Sequence, residues 1–72
     1  MATKTTYLYQ ARHALLKSPL PSIRNLKVEE ADGSIIIMGR VESYYEKQMA
    51  QEAIRAVCQD IELQNDVDVH DV

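Results

Sequence analysis

Along this chain the spacing of apolar residues changes from helical to strand-like and back, and those changes predict its elements. Leu8, Ala11 and Leu15 recur at helical spacing, with Ala14 beside them and Arg12, His13 and Lys17 on other faces. A helix is therefore expected over residues 6–17. Thr5 or Thr6 is available to cap its start, and Ser18-Pro19 ends it because the proline ring cannot continue the hydrogen-bond ladder. Pro19-Leu20-Pro21 reads as a stiff connector. From about Asn25 to Val41 the period falls to two. Leu26 and Val28 alternate with Lys27 and Glu29, Asp32-Gly33 supplies a hairpin turn, and Ile35, Ile37, Gly39 and Val41 share one face of the returning strand. Ile36, Met38 and Arg40 take the opposite face, so this strand is apolar on both sides over 35–38 and its second face is either covered or a contact surface.

Ser43-Tyr44-Tyr45-Glu46 is a capping box. The serine oxygen should accept from the Glu46 amide while the glutamate reaches back to the serine amide. The helix it opens carries Met49, Ala50, Ala53, Ile54 and Val57 as its inner stripe, with Lys47, Gln51, Glu52 and Arg55 outward, and should end near Cys58 or Gln59. Ile61, Leu63, Val67 and Val69 then alternate with Glu62, Gln64, Asp66 and Asp68 in a last strand over 61–69, where Asn65 is the odd polar residue on the inner parity. The order α-β-β-α-β implies an α+β domain with two helices on one face of a three-stranded mixed sheet. No local signal identifies the central strand.

At 72 residues the chain has room for one domain, 1–72, and one small core. A hydrophobic fraction of 46% with only two glycines and two prolines fits a folded chain. The net charge of −3 argues against a nucleic-acid partner, but the charge is uneven. Residues 1–27 hold five bases and no acid, whereas 28–72 hold all eleven acids and three bases. Such asymmetry marks an end suited to an anionic surface, or two halves that neutralise each other inside the fold or across a homodimer. Cys58 is alone, which excludes an intrachain disulfide. No run of signal-peptide or membrane-spanning length is present, so the expected location is cytoplasmic, or periplasmic if the chain is an excised or processed domain.

Candidate chemistry is sparse. Cys58 with His13 or His70 lacks a third group and an oxyanion device, so no catalytic residue is assigned and no enzyme activity is expected. Asp66, Asp68 and His70 alternate along one side of an extended chain beside Asp71, a weak cation candidate with no calcium-loop or zinc-cluster spacing. No cofactor is implied. Gly39 reads as a bulge or as room for a packed neighbour rather than a ligand site. The four tyrosines, Tyr7, Tyr9, Tyr44 and Tyr45, lie at the starts of the two helices and suit either an interface, with Lys4 and Arg12 nearby, or a staple onto the core.

The run 32–41, preceded by Ala11-Arg12-His13-Ala14-Leu15 and followed by 46–50, Val57 and 63–69, resembles the BON domain of bacterial osmotically inducible and nodulation proteins over about 8–69. The resemblance implies the α-β-β-α-β layout. It also implies a non-enzymatic module that associates with phospholipid membranes in bacterial stress proteins, with a potassium-binding relative keeping cation sensing (potassium or calcium) as an alternative. On it, Lys4, Tyr7, Tyr9, Arg12, Lys17 and Arg24 are the candidates for contact with anionic lipid. Ile36, Met38 and Arg40 are candidates for a protein partner or for self-association, the chain being a monomer or weak homodimer. The sequence departs from the family in having Gln59-Asp60 where a Gly-Val pair is usual, and Ile36 and Met38 where outward residues are usually polar. It also has one copy and no signal segment, where relatives often carry two copies and a signal.

Overall fold

The computed structural model describes residues 4–70, with side chains from residue 7. Helices α1 (Lys4–Leu16), α2 (Pro21–Arg24) and α3 (Tyr44–Arg55) accompany strands β1 (Lys27–Ala31), β2 (Ser34–Val41) and β3 (Glu62–Val69). The sheet order is β1-β2-β3. Strand β2 is central, antiparallel to β1 and parallel to β3.

The hairpin closes at Ala31 opposite Ser34, leaving Asp32 and Gly33 as a two-residue turn with φ of 52° and 82°. Two positive values match the right-handed twist of the strands, and aspartate followed by glycine tolerates them best. The Gly33 amide donates to Glu30 Oε2 at 3.0 Å, fixing the turn from the first strand. On the inner face Val28, Ile35, Ile37, Val41 and Val67 are buried against Ala11, Leu15, Ile23, Leu26, Ala50, Ile54 and Cys58. Helix α1 packs on β1, α3 packs on β2 and β3, and the two helices pack on each other. They run antiparallel, since Cys58, just past α3, donates its thiol to the Tyr7 carbonyl in the first half of α1 at 3.6 Å.

Gly39 has φ of 135°, a region in which side chains are strained, and a Cβ there would lie 2.6 Å from Leu26 Cδ2. The glycine admits Leu26 as the chain enters β1. It is a packing position.

Several boundaries depart from the sequence expectation for identifiable reasons. Helix α1 begins at Lys4, which places Thr5 and Thr6 inside the helix rather than at its cap. Pro21 does not belong to a connector. It occupies the first position of α2, where a missing amide costs nothing, while the Leu20 amide donates to Ser18 Oγ at 3.1 Å and Ile23 drops into the core. The hairpin starts at Lys27 instead of Asn25, and β3 at Glu62 instead of Ile61. Helix α3 ends at Arg55, sooner than expected, and the Ala56-Val57 turn rotates Val57 outward to 46% exposure while Cys58 takes the core position. The Cys58 and Val57 amides both donate to the Ile54 carbonyl, at 2.8 and 3.1 Å, which holds Cys58 against the end of the helix.

Candidate functional site

Capping places the start of α3. The Glu46 amide donates to Ser43 Oγ at 3.2 Å, as the capping box requires. The Glu46 carboxylate, expected to reach back to the Ser43 amide, instead accepts from the Ser43 and Ser22 hydroxyls and so clips α2 to α3. Because the helices are antiparallel, the two tyrosine pairs sit at opposite ends of the helix layer, not in one cluster. Tyr7 packs against the core, while Tyr9, Tyr44 and Tyr45 are each more than 70% exposed.

Tyr9, Arg12 and Leu16 follow one another at spacings of three and four, so they share one flank of α1, and all three are exposed. Leu16, at 55% exposure, joins an aromatic and a base on a solvent-facing stripe. The sequence reading missed it, although its offset from Ala11 and Leu15 places it off the core face. Lys17 lies about a quarter turn away from Leu16. With Gln10, His13 and Ala14 it borders a groove of about 310 Å³ against Ala53 and Val57 of α3. Arg24 is tied down by a 2.9 Å hydrogen bond from Nη1 to the Ser18 carbonyl, which leaves it exposed at the C-terminal end of α2. The side chain of Lys4 lies outside the described residues.

The outer sheet face is built by the other strand parity. Ile36 stands between Glu29 and Gln64, Met38 between Lys27 and Asp66, and Arg40 beside Asp68. Ile36 and Met38 are half-buried between these polar neighbours, and Arg40 is exposed. On the inner face Asn65 resolves its odd position by reaching α3, donating to the Lys47 carbonyl at 3.0 Å and to Gln51 Oε1 at 3.2 Å while accepting from the Val67 amide at 3.2 Å.

Among the described residues no three histidine, cysteine or acidic side chains converge as a metal site. Asp66 and Asp68 lie on the outer face, Asp66 Oδ2 accepting from Gln64 Nε2 at 2.8 Å, and His70 follows the strand with its amide bonded to the Val41 carbonyl at 2.7 Å. Asp71 lies outside the described residues. Cys58 is 1% exposed, and desolvation pushes its thiol pKa up, the opposite of the environment that activates a nucleophilic cysteine.

Among the described residues, helix α1 packs on β1 and α3, which hold Glu29, Glu30, Glu46 and Glu52, and the acids of β3 stand apart from it. Arg12 and Arg24 lie on α1 and α2, and Lys17 directly after α1, in the helix layer, while Glu62, Asp66 and Asp68 of β3 lie on the outer face at the opposite sheet edge. No helix among the described residues is long and apolar enough to cross a membrane. Among curated proteins none matches this sequence significantly. The family comparison is decisive: the sequence pattern of the BON domain matches residues 10–71, which takes in the second half of α1, α2, α3 and all three strands, and the protein belongs to the BON domain family.

Proposed function

We propose that this domain is a non-enzymatic module that docks reversibly on anionic phospholipid surfaces through the outward flank of α1. One observation carries the reading: Tyr9, Arg12 and Leu16 form an exposed aromatic, basic and aliphatic stripe in a segment without a single acid. Tyrosine suits the headgroup level, leucine the acyl boundary, and arginine the phosphate. Arg12, Lys17 and Arg24 contribute about 1 kcal/mol each near such a surface. Inserting the exposed half of Leu16 adds roughly another 1 kcal/mol. The sum, about 4 kcal/mol, corresponds to a millimolar dissociation constant, so a single domain binds weakly and copies or neighbours supply avidity.

The test is co-sedimentation with phosphatidylglycerol vesicles and with phosphatidylcholine vesicles at low and high salt. Binding should require the anionic lipid and fade with salt, and Arg12→Glu with Leu16→Ser should reduce the bound fraction about tenfold. Absence of binding to anionic vesicles at low salt, or equal binding to both lipids, refutes the reading.

A further inference from the structure

The α1 flank and the outer face of β3 are oppositely charged surfaces on different sides of the molecule. The first 27 residues carry five bases and no acid, and residues 56–72 carry five acids and no Lys or Arg. Helix α1 packs on β1 and α3, whereas β3 is the far edge of the sheet. Each charged surface also has an apolar centre of its own. On α1, Arg12 lies between exposed Tyr9 and Leu16. On the outer sheet face, Ile36 and Met38 of β2 lie among exposed Glu29, Glu62, Asp66 and Asp68, against Lys27 and Arg40 as the Lys and Arg residues of that face among the described residues.

We propose that the outer face of β2 and β3 is a docking surface for the α1 flank of a second copy of this chain. Leu16 and Tyr9 of one copy cover Ile36 and Met38 of the next, and Arg12 comes to lie among Asp66 and its acidic neighbours. The two patches lie on different faces of the molecule and the contact is heterologous: each copy retains a free patch of either kind, and association continues head to tail beyond the dimer unless the rotation closes a ring of three or more copies. An apolar pair covered in this way explains why β2 is apolar on both sides. The same α1 flank carries the proposed lipid contact, so a lipid surface and a second copy exclude each other there.

Sedimentation velocity without lipid decides the matter independently of the membrane reading. Two blocked variants are compared with the parent chain: Arg12→Glu with Leu16→Glu on α1, and Met38→Lys with Asp66→Lys on the sheet. Circular dichroism and melting establish that each is folded, and Asp66→Lys with Asp68→Lys, at exposed positions only, replaces the second if it is not. At about 0.05 M salt the parent should grow in mass with concentration up to about 1 mM, and its dissociation constant should rise about tenfold at about 0.5 M salt. Each blocked variant should stay monomeric alone, and an equimolar mixture of the two should form a dimer and stop there. A parent that remains monomeric at low salt, a parent that stops at a dimer, a blocked variant that still associates alone, or a mixture that stays monomeric overturns the proposal.

Discussion

Replacing Gly39 by alanine tests how the central strand is held. Gly39 lies in β2 with φ of 135°, and an added Cβ would approach Leu26 Cδ2 to 2.6 Å while standing 3.4 Å from Leu26 Cα. Two costs follow. A non-glycine residue in this part of backbone space is strained by about 1–3 kcal/mol. Leu26, which is 8% exposed and fixed at the entrance to β1, must also leave its rotamer, at about 0.5–1.5 kcal/mol. The total, about 2–4 kcal/mol, is a large part of the stability of a domain this small. Urea denaturation followed by circular dichroism measures it as a lower midpoint at constant slope. Repeating the substitution in a Leu26→Ala background separates the terms, since the clash disappears and the backbone strain stays. A loss below about 0.5 kcal/mol for Gly39→Ala refutes the strain argument, and a cost that vanishes with Leu26 removed assigns everything to the clash.

Other parts of the fold make shorter predictions. Ser22→Ala and Glu46→Ala should each lose about 1 kcal/mol and couple by at least ~0.5 kcal/mol in a double-mutant cycle, because one hydrogen bond joins α2 to α3; additivity argues against the clip. Asn65→Ala should cost about 1 kcal/mol in the same denaturation assay, its amide being the link from β3 to Lys47 and Gln51. The raised thiol pKa of Cys58 has a pH signature. The folded state holds the proton that the unfolded chain releases near its ordinary value of about 8.5, so this contribution is intact below that pH and is lost as pH rises past it. Melting temperatures from neutral to about pH 10 should therefore fall more for the parent than for Cys58→Ala; parallel curves contradict it.

What was legible in the sequence was whatever chemistry is local. The Asp32-Gly33 turn, the two-faced β2 strand and the Ser43 cap each need only neighbouring residues to specify them, and each lies where the sequence places it. Strand order was not legible, because pairing β2 between β1 and β3 is a tertiary choice that no single strand encodes. Helix α2 is four residues long, too short to show a period, so Ile23 entered the core unannounced. The stripe on α3 was misjudged only at its end, where stopping at Arg55 exchanged Val57 for Cys58. At the candidate site the bases were evident from composition, but the stripe on α1 emerged only when the outward position of Leu16 was fixed by Ala11 and Leu15 turning inward.

Chain order itself explains why the charges end up so far apart. The hairpin sets β1 and β2 side by side, and the crossover through α3 is long enough to return β3 parallel to β2. Because β1 already occupies one side of β2, β3 has only the other side available. Helix α1, which leads through α2 into β1, packs over that first edge, so α1 and β3 come to opposite flanks of the sheet by topology before any charge acts. The bases exposed on α1 and the acids exposed on β3 therefore face away from one another. They are placed to meet the two proposed partners, a lipid headgroup layer and the acidic face of another copy, and salt must weaken both contacts while leaving the buried core of the domain nearly untouched.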